Sequence, residues 1–330
     1  MTEAGIISIT KTRLTDSQIQ DIATHFYGHT PQQLEIREFP SGRVKSTWEY
    51  RYELTSVCTV APKPSVKILR YEHNILDAEV RVLNILSNYP TSLRIPKVHT
   101  FDSTCQLVEA PYAIIDYIPG ENLDTVRKRL DKADEREIDQ AMGRHLRFCN
   151  RIERALQSGD GDGPISDFGL CAIDAPRYPT WREAFSSFIL DLLVDAQDAS
   201  IPDIPHDEIR RLLALHASAF DEVTEARLVI WDLWDGNVLV SFTDPDAKLG
   251  ASVSGTIDYE RALWGDPLME TTFRALMAPP ALVEAYGAYK PDELTSRQRR
   301  TGELEHGGKD MEQWGRMGIQ TSLQGLRAQL

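Results

Sequence analysis

No stretch of the sequence approaches the roughly 18 uncharged apolar residues that a membrane-crossing helix needs. The opening residues, MTEAGIISITKTRL, lack a basic segment followed by an apolar one, so no signal peptide is expected. The four cysteines, Cys58, Cys105, Cys149 and Cys171, have neither CxxC nor metal-ligand spacing; they read as buried free thiols in a reducing, cytoplasmic compartment. Internal repeats and low-complexity tracts are absent. Positive charge is also short, with 36 Lys and Arg against 50 Asp and Glu and a net charge of −14, which argues against nucleic acid or an anionic membrane as partner. The acidic excess is uneven. Residues 1–118 hold 12 basic and 13 acidic side chains, and residues 119–330 hold the other 24 and 37.

What is present suits two units in 330 residues, with 42% apolar content to fill their cores. Residues 13–27 predict a short helix. From 34 to 70 the pattern is β, in LEIREF, STWEYRYELTSVCTV and SVKILR. Ile75, Leu76, Val80, Leu83 and Leu86 recur at helical spacing between Asn74 and Leu86. KVHTFD, CQLVEA and YAIIDYI then read as strands, ending at Pro119-Gly120. Beyond Gly120 helical periodicity runs over 122–157, 180–198 and 206–224, interrupted by a β-rich stretch at 228–258. The expectation is an α+β chain: a β-rich first lobe, 1–118, with one helix, and a mainly helical second lobe, 119–330.

Within that β-rich stretch lies LVIWDLWDGNVLVSF. Asp232 and Asn237 sit five apart around a turn that Gly236 permits, between two apolar strands. Such a loop can hold a carboxylate against a substrate and aim a carboxamide oxygen at a cation. Downstream, GTIDYERALWGDP puts Asp258 at the end of another strand. Asn237 and Asp258 together make an oxygen donor pair of the kind Mg²⁺ accepts, with substrate phosphates completing its shell.

The spaced pattern D-x-x-x-x-N, then I-D-Y-E, then G-D-P resembles the aminoglycoside phosphotransferase and choline kinase-like family, and the W-D-L-W-D-G-N wording resembles its fungal-type branch. The matching residues are Asp232, Asn237, Ile257 to Glu260 and Gly265 to Pro267. The resemblance implies a bilobal protein-kinase-like fold and transfer of a phosphoryl group from ATP to a small-molecule hydroxyl or amine. It casts Asp232 as the base, Asn237 and Asp258 as Mg²⁺ ligands, and Asp266 as a brace. It makes Lys67 in SVKILR the phosphate-holding lysine, fixed by Glu79. It gives adenine the backbone of Asp116, Tyr117 and Ile118, and phosphate contacts to Gly42, Ser41 and Ser46. Trp234, Trp181, Asp191 and Asp195 are candidates for the acceptor pocket. Two features depart from the pattern. Ile230 stands where the family usually has a histidine that organises the loop. After Arg299-Arg300 the chain is polar and glycine-containing where an apolar helix is usual. Both departures keep a second expectation open, a kinase-fold protein with little phosphotransfer that binds a nucleotide or a partner, or uses the pocket for other small-molecule chemistry.

Overall fold

The structure is a computed structural model, and it describes residues 12–31, 35–38, 46–51, 55–152, 167–202, 204–244, 246, 249–270 and 278–287. A five-stranded antiparallel sheet comes first. Its strands are β1 (Glu35–Glu38), β2 (Ser46–Arg51), β3 (Thr55–Val60), β4 (Val98–Asp102) and β5 (Tyr112–Asp116), in the spatial order β1-β2-β3-β5-β4. Alternation along the two central strands assigns each face its own helix. Cys58, Val60, Tyr112 and Ile114 pack against Ile19 and Ile22 of α1 (Asp16–Tyr27). Val57, Ala113 and Ile115 join the main core with Leu76, Val80 and Leu83 of α2 (Ile75–Ser87). A capping box between Thr15 and Gln18 starts α1, and left-handed Gly28 ends it.

The expected helices at 13–27 and 74–86 are therefore present. Two expected strands are not. SVKILR is no strand: the chain leaves β3 through Pro62 and Pro64, turns tightly where the Val66 N–H bonds the Lys63 carbonyl at 2.9 Å, and ends in a 3-10 turn at Arg70–Glu72. The two prolines remove ladder donors just where a further strand residue would need them. CQLVEA likewise runs as bends, beginning at Cys105 with φ of 56°.

After β5 come a short strand β6 (Glu121–Asn122) and the helices α3 (Leu123–Val126), α4 (Lys132–Cys149), α5 (Trp181–Asp198), α6 (His206–Leu215), α7 (Ala217–Phe220) and α8 (Pro280–Tyr286). Asp131 caps α4 by accepting from the Ala133 and Asp134 N–H groups, each at 2.8 Å. Two small antiparallel sheets cross this part. One has the order β10-β9-β6, with β9 (Val238–Asp244) and β10 (Leu249–Thr256). The other has the order β7-β11-β8, with β7 (Gly169–Leu170), β8 (Arg227–Val229) and β11 (Leu263–Gly265). Strands β8 and β9 bracket the loop that carries Asp232 and Asn237. Among the described residues no helix is long and apolar enough to cross a membrane.

Candidate active site

The loop between β8 and β9 is folded by its own backbone. The Asp232 N–H reaches the Ile230 carbonyl at 2.8 Å, the Trp234 N–H the Asp232 carbonyl at 3.1 Å, and the Asn237 N–H the Trp234 carbonyl at 2.9 Å. Asn237 also donates its Nδ2 to the Asp232 carbonyl at 2.9 Å. With its amide nitrogen spent there, the buried carboxamide has its oxygen left for an electropositive partner. The turn is tight enough to put Trp231 in the left-handed region, at φ of 67°.

Glu270 holds this strained segment. Its carboxylate is fully buried and accepts from the Ile230 N–H at 2.9 Å, the Trp231 N–H at 3.0 Å and Asn150 Nδ2 at 2.8 Å. Asn150 in turn donates to the Leu228 carbonyl and accepts from the Tyr286 hydroxyl. The Ile230 side chain is buried in the core, so the loop is ordered through the backbone of residue 230 while its side chain supplies packing alone. Sequence reasoning missed Glu270, whose partners lie 40 and 120 positions away.

Asp258 leaves β10 beside this loop. The Ile257 N–H bonds the Asn237 carbonyl at 3.0 Å, and Asp258 itself takes φ of 67°. The expected oxygen donors, Asn237 and Asp258, are thus brought side by side on bonded backbones. Among the described residues no cluster of three or more His, Cys, Asp or Glu side chains could hold a metal by itself. One carboxylate and one carboxamide fit a hard cation that draws the rest of its shell from phosphates and water. Asp266 does brace its loop, accepting from the Leu268 N–H at 3.1 Å.

On the outer side of the loop, Arg127 binds Asp235 through Nε and Nη2 and also reaches Asp139 at 3.0 Å. Asn122 Nδ2 holds the Gly236 carbonyl at 2.5 Å. Trp234, two residues past Asp232, keeps 48% of its surface exposed, and its ring lies so close over Gly236 that a β-carbon there would overlap it.

A second missed residue stands against Asp232 itself. Arg261 Nη1 lies 3.3 Å from Asp232 Oδ2, while other guanidinium nitrogens lie 3.5 Å from Glu72 and 3.6 Å from Glu260. Burial of Arg261 disfavours its charge, but Tyr71, Asp232, Glu260 and Glu72 outweigh that and raise its pKa further. Burial pushes the Glu72 carboxyl up, with Arg261 opposing.

Three expectations need correction. Lys67 does not join Glu79. It lies in the loop after β3 with 73% of its side chain exposed, and it pairs with Asp198 at 3.8 Å. Glu79 is buried on α2, where it accepts from the Tyr259 N–H at 3.4 Å. Trp181 lines no pocket: it is 1% exposed, packed among Phe168, Phe185 and Phe188. Asp195 is taken up by Arg70, which offers it both its backbone N–H and its guanidinium. Asp116 spends its N–H on the Lys97 carbonyl and its carboxylate on His99, at 2.7 Å. Tyr117 and Ile118 follow it directly. Asp191 is half-buried on α5, and burial raises its carboxyl pKa. Ser46 begins β2, while Ser41, Gly42 and the Arg299-Arg300 tail lie outside the described residues.

A sequence profile described as the phosphotransferase enzyme family matches residues 35–297. No curated protein matches the chain. Among solved structures, the ternary complex of APH(2")-IIa with streptomycin and ATP superposes with a TM-score of 0.55 at 16% identity, over 94% of this chain and 97% of that one. A thermostable mutant of aminoglycoside phosphotransferase APH(4)-Ia, with AMP-PNP and hygromycin B, gives 0.54 at 18% identity, over 94% and 92%. Apo macrolide 2'-phosphotransferase MphH from Brachybacterium faecium gives 0.50 at 14% identity, over 96% and 91%. At these identities the likeness establishes the fold, the kinase-like one of these enzymes. The profile spans most of the chain, and with it the chain belongs to the phosphotransferase enzyme family.

Proposed function

We propose that the chain is an ATP- and Mg²⁺-dependent phosphotransferase acting on a hydroxyl or amine of a small molecule. The observation that carries this reading is the bond from Ile257 N–H to the Asn237 carbonyl, which sets Asp258 beside the loop of Asp232 and Asn237. In this reading residues 1–118 form the nucleotide lobe and residues 119–330 the catalytic and acceptor lobe. The acceptor approaches Asp232, whose carboxylate is part-exposed, orients the attacking group and takes its proton. Asn237 Oδ1 and the Asp258 carboxylate would hold Mg²⁺, which when bound neutralises phosphate charge. Adenine is held at the backbone of Tyr117 and Ile118, and the phosphates near Ser46 and Gly42. Trp234 and Asp191 border the acceptor. The structures of relatives with ATP, AMP-PNP and aminoglycosides bound support the nucleotide and the small-molecule acceptor.

A second reading keeps nucleotide or partner binding and gives up efficient transfer. It is favoured by Lys67, which sits on Asp198 at the surface, away from the buried Glu79. Thermal shift with MgATP, followed by ATP consumption across a panel of hydroxyl- and amine-bearing metabolites, separates the two. The first reading expects stabilisation by MgATP, consumption with at least one acceptor, and loss of consumption but not of binding in Asp232→Ala. Consumption unchanged in Asp232→Ala removes the base. Binding without consumption for any acceptor favours the second reading.

A further inference from the structure

The side chain of residue 230 is aliphatic and buried, so it offers no hydrogen bond to orient the Asp232 carboxylate. Arg261 reaches that carboxylate instead. Its Nη1 faces Oδ2 of Asp232 at 3.3 Å, and the side chain carrying it is only 10% exposed. A guanidinium is planar and its donors are fixed in a fork, so its partners define its angle. Here those partners are Glu72 at 3.5 Å and Glu260 at 3.6 Å, both buried. Glu72 closes the 3-10 turn Arg70–Glu72, and every residue of that turn meets a second part of the site's surroundings. Arg70 bonds Asp195 on α5, the Tyr71 ring packs 5.7 Å from the Trp231 ring, and the Tyr71 hydroxyl donates to Glu72 at 3.3 Å.

We propose that Arg261 is the positioning residue for Asp232: anchored by Glu72 and Glu260, it engages Oδ2 and fixes the angle at which the carboxylate meets the acceptor. The proposal rests on the phosphotransferase reading for its chemistry. Its geometry stands on the ion pairs alone. Two consequences follow. The base is held in place from the turn that follows β3, across the lobe boundary, and any displacement of that turn changes the angle of the carboxylate. Arg261 touches neither nucleotide ligand, Asn237 nor Asp258, so its loss acts on turnover and spares MgATP binding.

The test is steady-state MgATP turnover with water or the best panel acceptor, in wild type, Arg261→Met and Arg261→Lys. Positioning predicts that Arg261→Met lowers kcat by about tenfold or more with KM for MgATP within about twofold, and that Arg261→Lys recovers part of kcat through one retained contact. If leaving Glu72 and Glu260 without a buried cation unfolds Arg261→Met, the double variant Glu72→Gln/Arg261→Met relieves that charge and is read the same way. Unchanged kcat, or kcat and KM rising and falling together in both variants, overturns the proposal. A wild type with no turnover at all overturns the phosphotransferase reading separately. The pair is then measured by a melting cycle of Asp232→Asn and Arg261→Met: non-additive changes support the anchoring, and additive ones overturn it.

Discussion

Ile257 donates its backbone N–H to the carbonyl of Asn237 at 3.0 Å, and this bond ties the residue before Asp258 to the loop that carries Asp232. Asn237 belongs to the loop after β8 and Ile257 to the end of β10. The bond between their backbones joins the two segments.

Replacing Asp258 with Ala removes the carboxylate and keeps Asn237. The expected outcome is a nucleotide affinity that no longer rises with Mg²⁺, while metal-free binding is unchanged. Isothermal titration with and without Mg²⁺ reads both, and a Mg²⁺-dependent rise equal to wild type would take Asp258 out of the cation site.

Glu270→Ala leaves the Ile230 and Trp231 N–H groups and Asn150 Nδ2 without their acceptor in a dry setting. Each buried unsatisfied donor costs on the order of 1–3 kcal/mol, so the loss should be about 3 kcal/mol or more by urea denaturation. Glu270→Gln keeps one accepting oxygen and should lose less.

Gly143 of α4 lies where a β-carbon would overlap the Leu282 carbonyl oxygen and crowd the Tyr286 nitrogen of α8. These are backbone atoms and cannot rotate away. Gly143→Ala should cost about 2 kcal/mol despite alanine's better helix propensity, through separation of the two helices. Gly236→Ala meets only the far edge of the exposed Trp234 ring and should cost much less in the same melting experiment.

His145 is fully buried against the Tyr259 hydroxyl at 2.9 Å, and burial lowers its pKa to about 4. The unfolded chain binds this proton near pH 6.5, ahead of the folded one. Stability therefore falls as pH drops from about 6.5 toward about 4, by an amount on the order of 3 kcal/mol at the low end, and is flat above that window. His145→Gln should flatten this part of the stability profile measured by urea titration between pH 4 and 8. A slope identical to wild type would assign it to other groups.

The parts of the site that could be read from the chain are those made by near neighbours. Asp232 and Asn237 fall within one turn, and the turn needs only Gly236 and two apolar flanks. The helix at Ile75–Ser87 and the strands at Val98–Asp102 and Tyr112–Asp116 were legible for the same reason, since their periodicity is local. Long-range partners were not. Lys67 looked like a strand lysine because Val66, Ile68 and Leu69 flank it. The prolines at 62 and 64 had already ended the strand, and its ion partner Asp198 lies on α5. Trp181 and Asp195 share that helix. Sequence shows that such residues lie on a helix but not which neighbours fill its far side, here Phe168 for one and Arg70 for the other. Arg261 stood in plain sight after Ile257-Asp258-Tyr259-Glu260, and a cation immediately following that motif was the one signal that could have flagged it.

The exposed indole of Trp234 also makes the site observable by light. Trp181 and Trp264 are each 1% exposed and emit from dry surroundings, whereas Trp234 meets water two residues from Asp232. Its emission should lie at longer wavelength than theirs and be open to quenching by acrylamide. Anything that settles over the loop would shield it, so occupancy of the site can be followed as a blue shift in a cuvette, with no label and before any product has been identified.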